Sequence, residues 1–166
     1  MEAKINQFFE CIITFFNGGT GDQLPWCSPD VILGCEREAA DAASDEGKNE
    51  SIMRLSWALV HSKQPEDVRR GIAMLEVTLA SSNSPLQKRE KLYLLAVGYY
   101  RSGEYSMSRE LTGHCLEIAP DWRRALSLKK DIEDRITKDV VIGIGITATV
   151  IGLIAGGIAA SLIRRN

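Results

Sequence analysis

Two histidines, His61 and His114, four cysteines, Cys11, Cys27, Cys35 and Cys115, and the run GIGITA (Gly143 to Ala148) are the residues whose types could carry chemistry in this chain. A metal site needs His, Cys or carboxylate ligands at matching spacing, and a nucleophile needs a base placed to take its proton. Neither histidine has a cysteine or a carboxylate pair at ligand spacing, and the cysteines form no CxxC. GIGITA has the letters of the dinucleotide fingerprint G-x-G-x-x-A, but no strand precedes it and no ribose-binding acid follows. No Ser–His–Asp order and no Walker pattern occurs. The residues therefore predict no catalytic site, no metal and no cofactor. His61 and His114 read as structural, and the cysteines as buried thiols of a cytosolic domain.

Charge and hydropathy place the elements around these residues. The chain has 20 Lys+Arg against 22 Asp+Glu, a net charge of −2. Without the terminal Arg164 and Arg165 the remainder carries −4, which argues against a nucleic-acid surface. From Val140 to Ile163 there is no Asp, Glu, Lys, Arg, His, Asn or Gln. A helix over this run would span roughly 36 Å, against a hydrocarbon core of ~30 Å. The run predicts a transmembrane tail anchor over 140–163, with 164–166 as a short basic lumenal or intermembrane-space tail. Arg123, Arg124, Lys129, Lys130, Arg135 and Lys138 crowd the other flank, which keeps the preceding domain cytosolic. Gly152 and Gly156 form GxxxG, extended by Ala148 and Ala160. Such a ladder either lets anchors self-associate or merely tempers the apolarity of the span.

The first residues, MEAKINQFFECIITFFNGG, do not read as a cleaved leader: Glu2 stands where a basic region belongs, Glu10 splits the apolar stretch, and no Arg is present. Ile5, Phe8, Phe9, Ile12, Ile13 and Phe16 fall at helical spacing. The expectation is an amphipathic arm over 1–27 that docks and undocks through the glycines at 18, 19 and 21. A cytosolic helical domain over 28–139 follows. Ser28, Pro29 and Asp30 give it a coherent helix start.

Within that domain the chain repeats itself, about 51–84 and 89–120. In REKLYLLAVGYYRSGEYSMSRELTGHCLEIAP, Leu92, Leu95, Ala96, Tyr99, Gly103, Tyr105, Ser108, Cys115 and Pro120 fall on the tetratricopeptide pattern. Small residues at Ala96, Ser108 and Cys115 let two antiparallel helices approach closely. Trp57–Ala58 matches Leu95–Ala96, His61 matches Tyr99 and Gly71 matches Ser108. Two repeats are too few to stand alone, since such arrays need about three. A helix after Ser28 and another capped by Asp121, carrying Trp122, Leu126, Ile132 and Ile136, must close the ends. The fold class is all-α: two repeats plus capping helices and a C-terminal span.

In stacked helical repeats the first helix of each pair lines the inner face. That rule turns Leu55, Leu59, Ser62 and Lys63 inward, with Tyr93, Val97, Tyr100 and Arg101, as an apolar and aromatic groove with a basic rim. Such a groove suits an amphipathic helix or extended segment. The arm is its expected occupant when no partner is present.

The stretches RLSWALVHSK, DVRRGIAMLE and YLLAVGYYRSGEY, followed by a Gly-rich apolar tail, closely resemble the mitochondrial fission 1 protein family, over about Ser28 to Asn166 and with plant members the most alike. The resemblance implies a six-helix cytosolic bundle on the mitochondrial outer membrane and on peroxisomes. It implies a role in organelle fission by recruiting a dynamin-related GTPase, directly or through adaptors. The groove positions it carries over are Leu55, Leu59, Tyr93, Val97, Tyr100 and Arg101, and Arg164 with Arg165 match its targeting tails. The alternative is an outer-membrane presequence import receptor, against which the basic rim argues. A carboxylate-clamp co-chaperone would want Lys and Asn where Tyr93 and Val97 stand.

Overall fold

The structure, a computed structural model, describes residues 24–142 apart from 81 and 83. Five helices run in order: α1 Pro29–Asp41, α2 Asp45–Val60, α3 Pro65–Ala80, α4 Pro85–Arg101 and α5 Tyr105–Ile118. A sixth, α6, is helical from 123 to 142. The fold is all-α and tetratricopeptide-like, with α2–α3 and α4–α5 as the two repeats. Expectations on residues 1–23, on the run from Gly143 onward including Gly152 and Gly156, and on Arg164 and Arg165 lie outside the described residues.

Three helices begin on proline, Pro29, Pro65 and Pro85, where its fixed φ suits the first turn and its missing N–H is not needed. Ser44 caps α2 by accepting from the Gly47 N–H at 3.1 Å. Ser28 holds the extended N-cap backbone before α1, as its sequence suggests, yet its hydroxyl makes no cap bond. Gly103, at φ 81°, turns α4 into α5, a left-handed conformation that costs a glycine little.

The core lies between α2 and α4. Leu55 to Val60 are buried all round the end of α2, and Lys91 to Gly98 all round the middle of α4. A helix buried on every side belongs at the centre of a bundle. Here α1, α3, α5 and α6 are the outer layer. The small positions work as the repeat pattern requires. Ser108 and Ala96 are fully buried, and an added Cβ at Gly71 would stand 2.9 Å from Leu59 Cβ and from Val60 Cγ1.

Two local expectations change. α6 starts after Trp122 rather than directly on an Asp121 cap. Its buried seam is Ala125, Leu128 and Ile132, whereas Leu126 is 46% exposed. That seam steps by three and four residues, the spacing of one helix face, and Leu126 falls off it.

Candidate docking site

The six groove residues separate into two groups. Leu59 and Val97 have no exposure, Tyr93 has 2% and Leu55 6%. All four belong to the core cluster. Solenoid reasoning turns them toward an open face, but with only two repeats the end helices close over that face. The Tyr93 ring packs against Trp122, just ahead of α6, at 4.9 Å between centroids, and Arg89 lies 4.5 Å over the same indole. α1 contributes Ile32 and Cys35 to the same core. Tyr100 and Arg101, at the end of α4, remain at the surface, half-buried.

Around these two the structure builds a mouth. Tyr100 tilts against Tyr105 of α5 at 5.7 Å, and its hydroxyl accepts from Arg135 Nε of α6 at 3.4 Å. Arg101 points toward the extended segment 24–28. Its Nη2 donates to the Pro25 carbonyl at 2.7 Å and to the Leu24 carbonyl at 3.2 Å. Its guanidinium carbon stands 3.5 Å from the centre of the Trp26 ring. The next N–H, that of Cys27, donates to the His61 carbonyl at 2.8 Å, and Cys27 forms an isolated parallel bridge with Ser62. This short strap, part of the arm expected over 1–27, is seated where α2 and α4 end. Beside it Trp26, Cys27, Ser28, Ser62, Lys63 and Gln64 line a cavity of about 330 Å³. Ser62 and Lys63, expected to face inward, meet the strap there.

His61 is structural. Its ring is fully buried, stacks on Trp57 at 4.2 Å, and donates from Nδ1 to the Trp57 carbonyl at 2.7 Å. Burial drives its pKa down to about 3, helped by the positive charges of Arg101 and Arg124 and opposed by the Trp57 bond. A ring held neutral and dry cannot exchange protons with a substrate at the surface. His114 is exposed, 3.1 Å from Glu117.

Burial raises the thiols of Cys27 and Cys115 to about 12 and that of Cys35 to about 11, so all three stay protonated and unreactive. Among the described residues no cluster of His, Cys, Asp or Glu could hold a metal ion.

The strap is what sequence reasoning missed. Its signal is Pro-Trp in a non-helical stretch before a helix start, with an arginine elsewhere free to stack on the ring. Nothing in the sequence says that this arginine is Arg101.

Two stacked helix pairs, closed at each end by a further helix and carrying a basic, aromatic mouth, define a tetratricopeptide-type helical scaffold. Residues 50–82 match the Fis1 N-terminal tetratricopeptide repeat and residues 89–141 the Fis1 C-terminal tetratricopeptide repeat. The chain is 63% identical to mitochondrial fission 1 protein A of Arabidopsis thaliana, with all of both chains covered. It is 52% identical to mitochondrial fission 1 protein B of the same plant, over 99% of each. The chain belongs to the mitochondrial fission 1 protein family. Its fold is that of the crystal structure of fission protein Fis1 from Saccharomyces cerevisiae, at 23% identity and a TM-score of 0.63, covering 73% of this chain and 92% of that one. Yeast Fis1 crystallised with an Mdv1 fragment gives 24% identity and a TM-score of 0.62, covering 70% and 90%.

Proposed function

We propose that this chain is a tail-anchored adaptor of the mitochondrial outer membrane and of peroxisomes. It promotes fission by recruiting a dynamin-related GTPase, directly or through adaptor proteins. The observations that support this reading are full-length likeness to fission 1 proteins and a mouth at Tyr100 and Arg101 where, among the described residues, a short strap lies on Arg101. In this reading Leu55, Leu59, Tyr93 and Val97 form the floor beneath the mouth, and the arm over 1–27 competes with the partner for it. The span at 140–163 holds scaffold and partner at one membrane surface. Confinement raises their effective concentration, so a weak contact suffices. Arg164 and Arg165 direct the anchor, and Gly152 with Gly156 allow two anchors to associate.

The test compares the full chain with Tyr100→Ala/Arg101→Glu in cells whose own fission 1 protein has been removed. Organelle length and recruited dynamin-related GTPase are scored on mitochondria and peroxisomes. The unaltered chain should restore short organelles. The variant should reach the same membranes and leave them elongated. Equal rescue by both removes the mouth from the function.

A further inference from the structure

The strap holds Arg101 incompletely. Among the described residues, its hydrogen bonds to the ends of α2 and α4 come from strap main chain: the carbonyls of Leu24 and Pro25 accept from Arg101, and the Cys27 N–H donates to the His61 carbonyl. Main-chain bonds of this kind read extended backbone and not sequence. Trp26 supplies a side-chain contact to Arg101, and its indole remains 58% exposed. Arg101 Nε, by contrast, is buried and has no hydrogen-bond partner among the described residues. Burial of the guanidinium lowers its pKa to about 10, so its desolvation is only partly offset. A neutral carbonyl meets Nη2 but leaves Nε unmade. A carboxylate would take Nε and Nη2 together, as the two-toothed pair that guanidinium geometry favours. Basic groups stand nearby: Lys63 Nζ lies 5.8 Å from the Trp26 ring, and Arg124 acts with Arg101 on His61, while the Asp67 carboxylate, which accepts from Ser62 Oγ at 2.7 Å, lies on the Cys27 side of the strap.

We infer that the Arg101 mouth is a recognition site for an extended partner segment that pairs an aromatic residue with a neighbouring carboxylate, and that Leu24 to Cys27 is its neutral resident occupant. The partner's ring takes the place of Trp26 on the guanidinium. Its carboxylate takes the place of the two strap carbonyls and satisfies Nε as well. This rests on the docking reading above and adds the chemistry of the segment that docks.

Two synthetic peptides that differ only in charge test it, acetyl-GSEPWEG-amide and acetyl-GSQPWQG-amide, each carrying a fluorophore. They are titrated by fluorescence polarisation onto the full chain in lipid nanodiscs. The acidic peptide should bind at least about fivefold more tightly than its amide twin. Trp26→Ala weakens the resident competitor, so it should tighten the acidic peptide by about tenfold. Arg101→Lys keeps the charge but loses the paired donors, and should reduce the preference between the two peptides to the part that charge alone supplies. Circular dichroism confirms that each variant is folded. Equal binding of the two peptides, a preference undiminished by Arg101→Lys, or no gain from Trp26→Ala each overturn the inference. If the peptides bind alike while Tyr100→Ala/Arg101→Glu still blocks fission, the docking reading stands and the acidic–aromatic chemistry falls. If the peptides behave as expected but that variant restores fission, the site stands and its part in fission falls.

Discussion

Ser108 Oγ donates to the Ala96 carbonyl at 2.7 Å, with both residues fully buried. The bond crosses from α5 to α4 at the place where two small side chains let the helices touch. Ser108→Ala should cost about 1 kcal/mol, the net worth of one buried hydrogen bond. Ser108→Val, which overfills the contact, should cost about 1–3 kcal/mol more. Urea denaturation of the two variants ranks them, and equal stability would show that the close approach is not set by this residue.

Glycines on two helices give a sharper contrast. A Cβ at Gly71 would meet Leu59 Cβ and Val60 Cγ1 at 2.9 Å and the Val60 backbone nitrogen at 3.1 Å, so α3 must move off α2. At Gly113, inside α5, nothing lies within 4 Å. Gly71→Ala should destabilise by about 1–3 kcal/mol. Gly113→Ala should stabilise by about 0.5–1 kcal/mol, since alanine has less backbone freedom to lose. Thermal melts should move in opposite directions, and a shared direction would contradict the packing.

The repeats were legible in the sequence because small residues at Ala96, Ser108 and Gly71 are a physical requirement of close helix pairs. The groove was not legible in the same way. Periodicity places Leu59 and Val97 on one face of each first helix, but cannot say what lies over that face. Here Trp122 lies over Tyr93, and α1 brings Ile32 and Cys35 into the same core. Leu126 and Leu128 are equally apolar, and only the seam with Ala125 and Ile132 decides which is buried. The strap was least legible, because main-chain bonds to Leu24, Pro25 and Cys27 leave no mark on residue identity.

His61 makes stability depend on pH. Its folded pKa is about 3, below the ordinary 6.5, so the unfolded chain binds a proton that the fold refuses. Its stabilising contribution is therefore complete above pH ~6.5 and falls as pH drops toward 3, by about 1.4 kcal/mol per unit. Between pH ~7.5 and ~5.5 the unaltered chain should lose about 1.4 kcal/mol more than His61→Gln, which has no proton to take up. Urea midpoints at the two pH values give the difference. Parallel losses would mean that the buried ring titrates normally.

The end of α6 bears on the membrane proposal. Val140, Val141 and Ile142 are 54%, 63% and 60% exposed, three consecutive apolar side chains that the helical body leaves uncovered. Consecutive residues on a helix point about 100° apart, so this exposure is on most sides and not along one stripe. Among the described residues no helix is long and apolar enough to cross a membrane. The proposed anchor therefore depends on the uncharged run that continues to Ile163. The full chain should stay with membranes through alkaline carbonate extraction. A chain ending at Asp139 keeps the whole buried core of α1 to α6 and should be released as a folded monomer. If the full chain is extracted as readily as the shortened one, lipid does not cover these residues and a protein surface must.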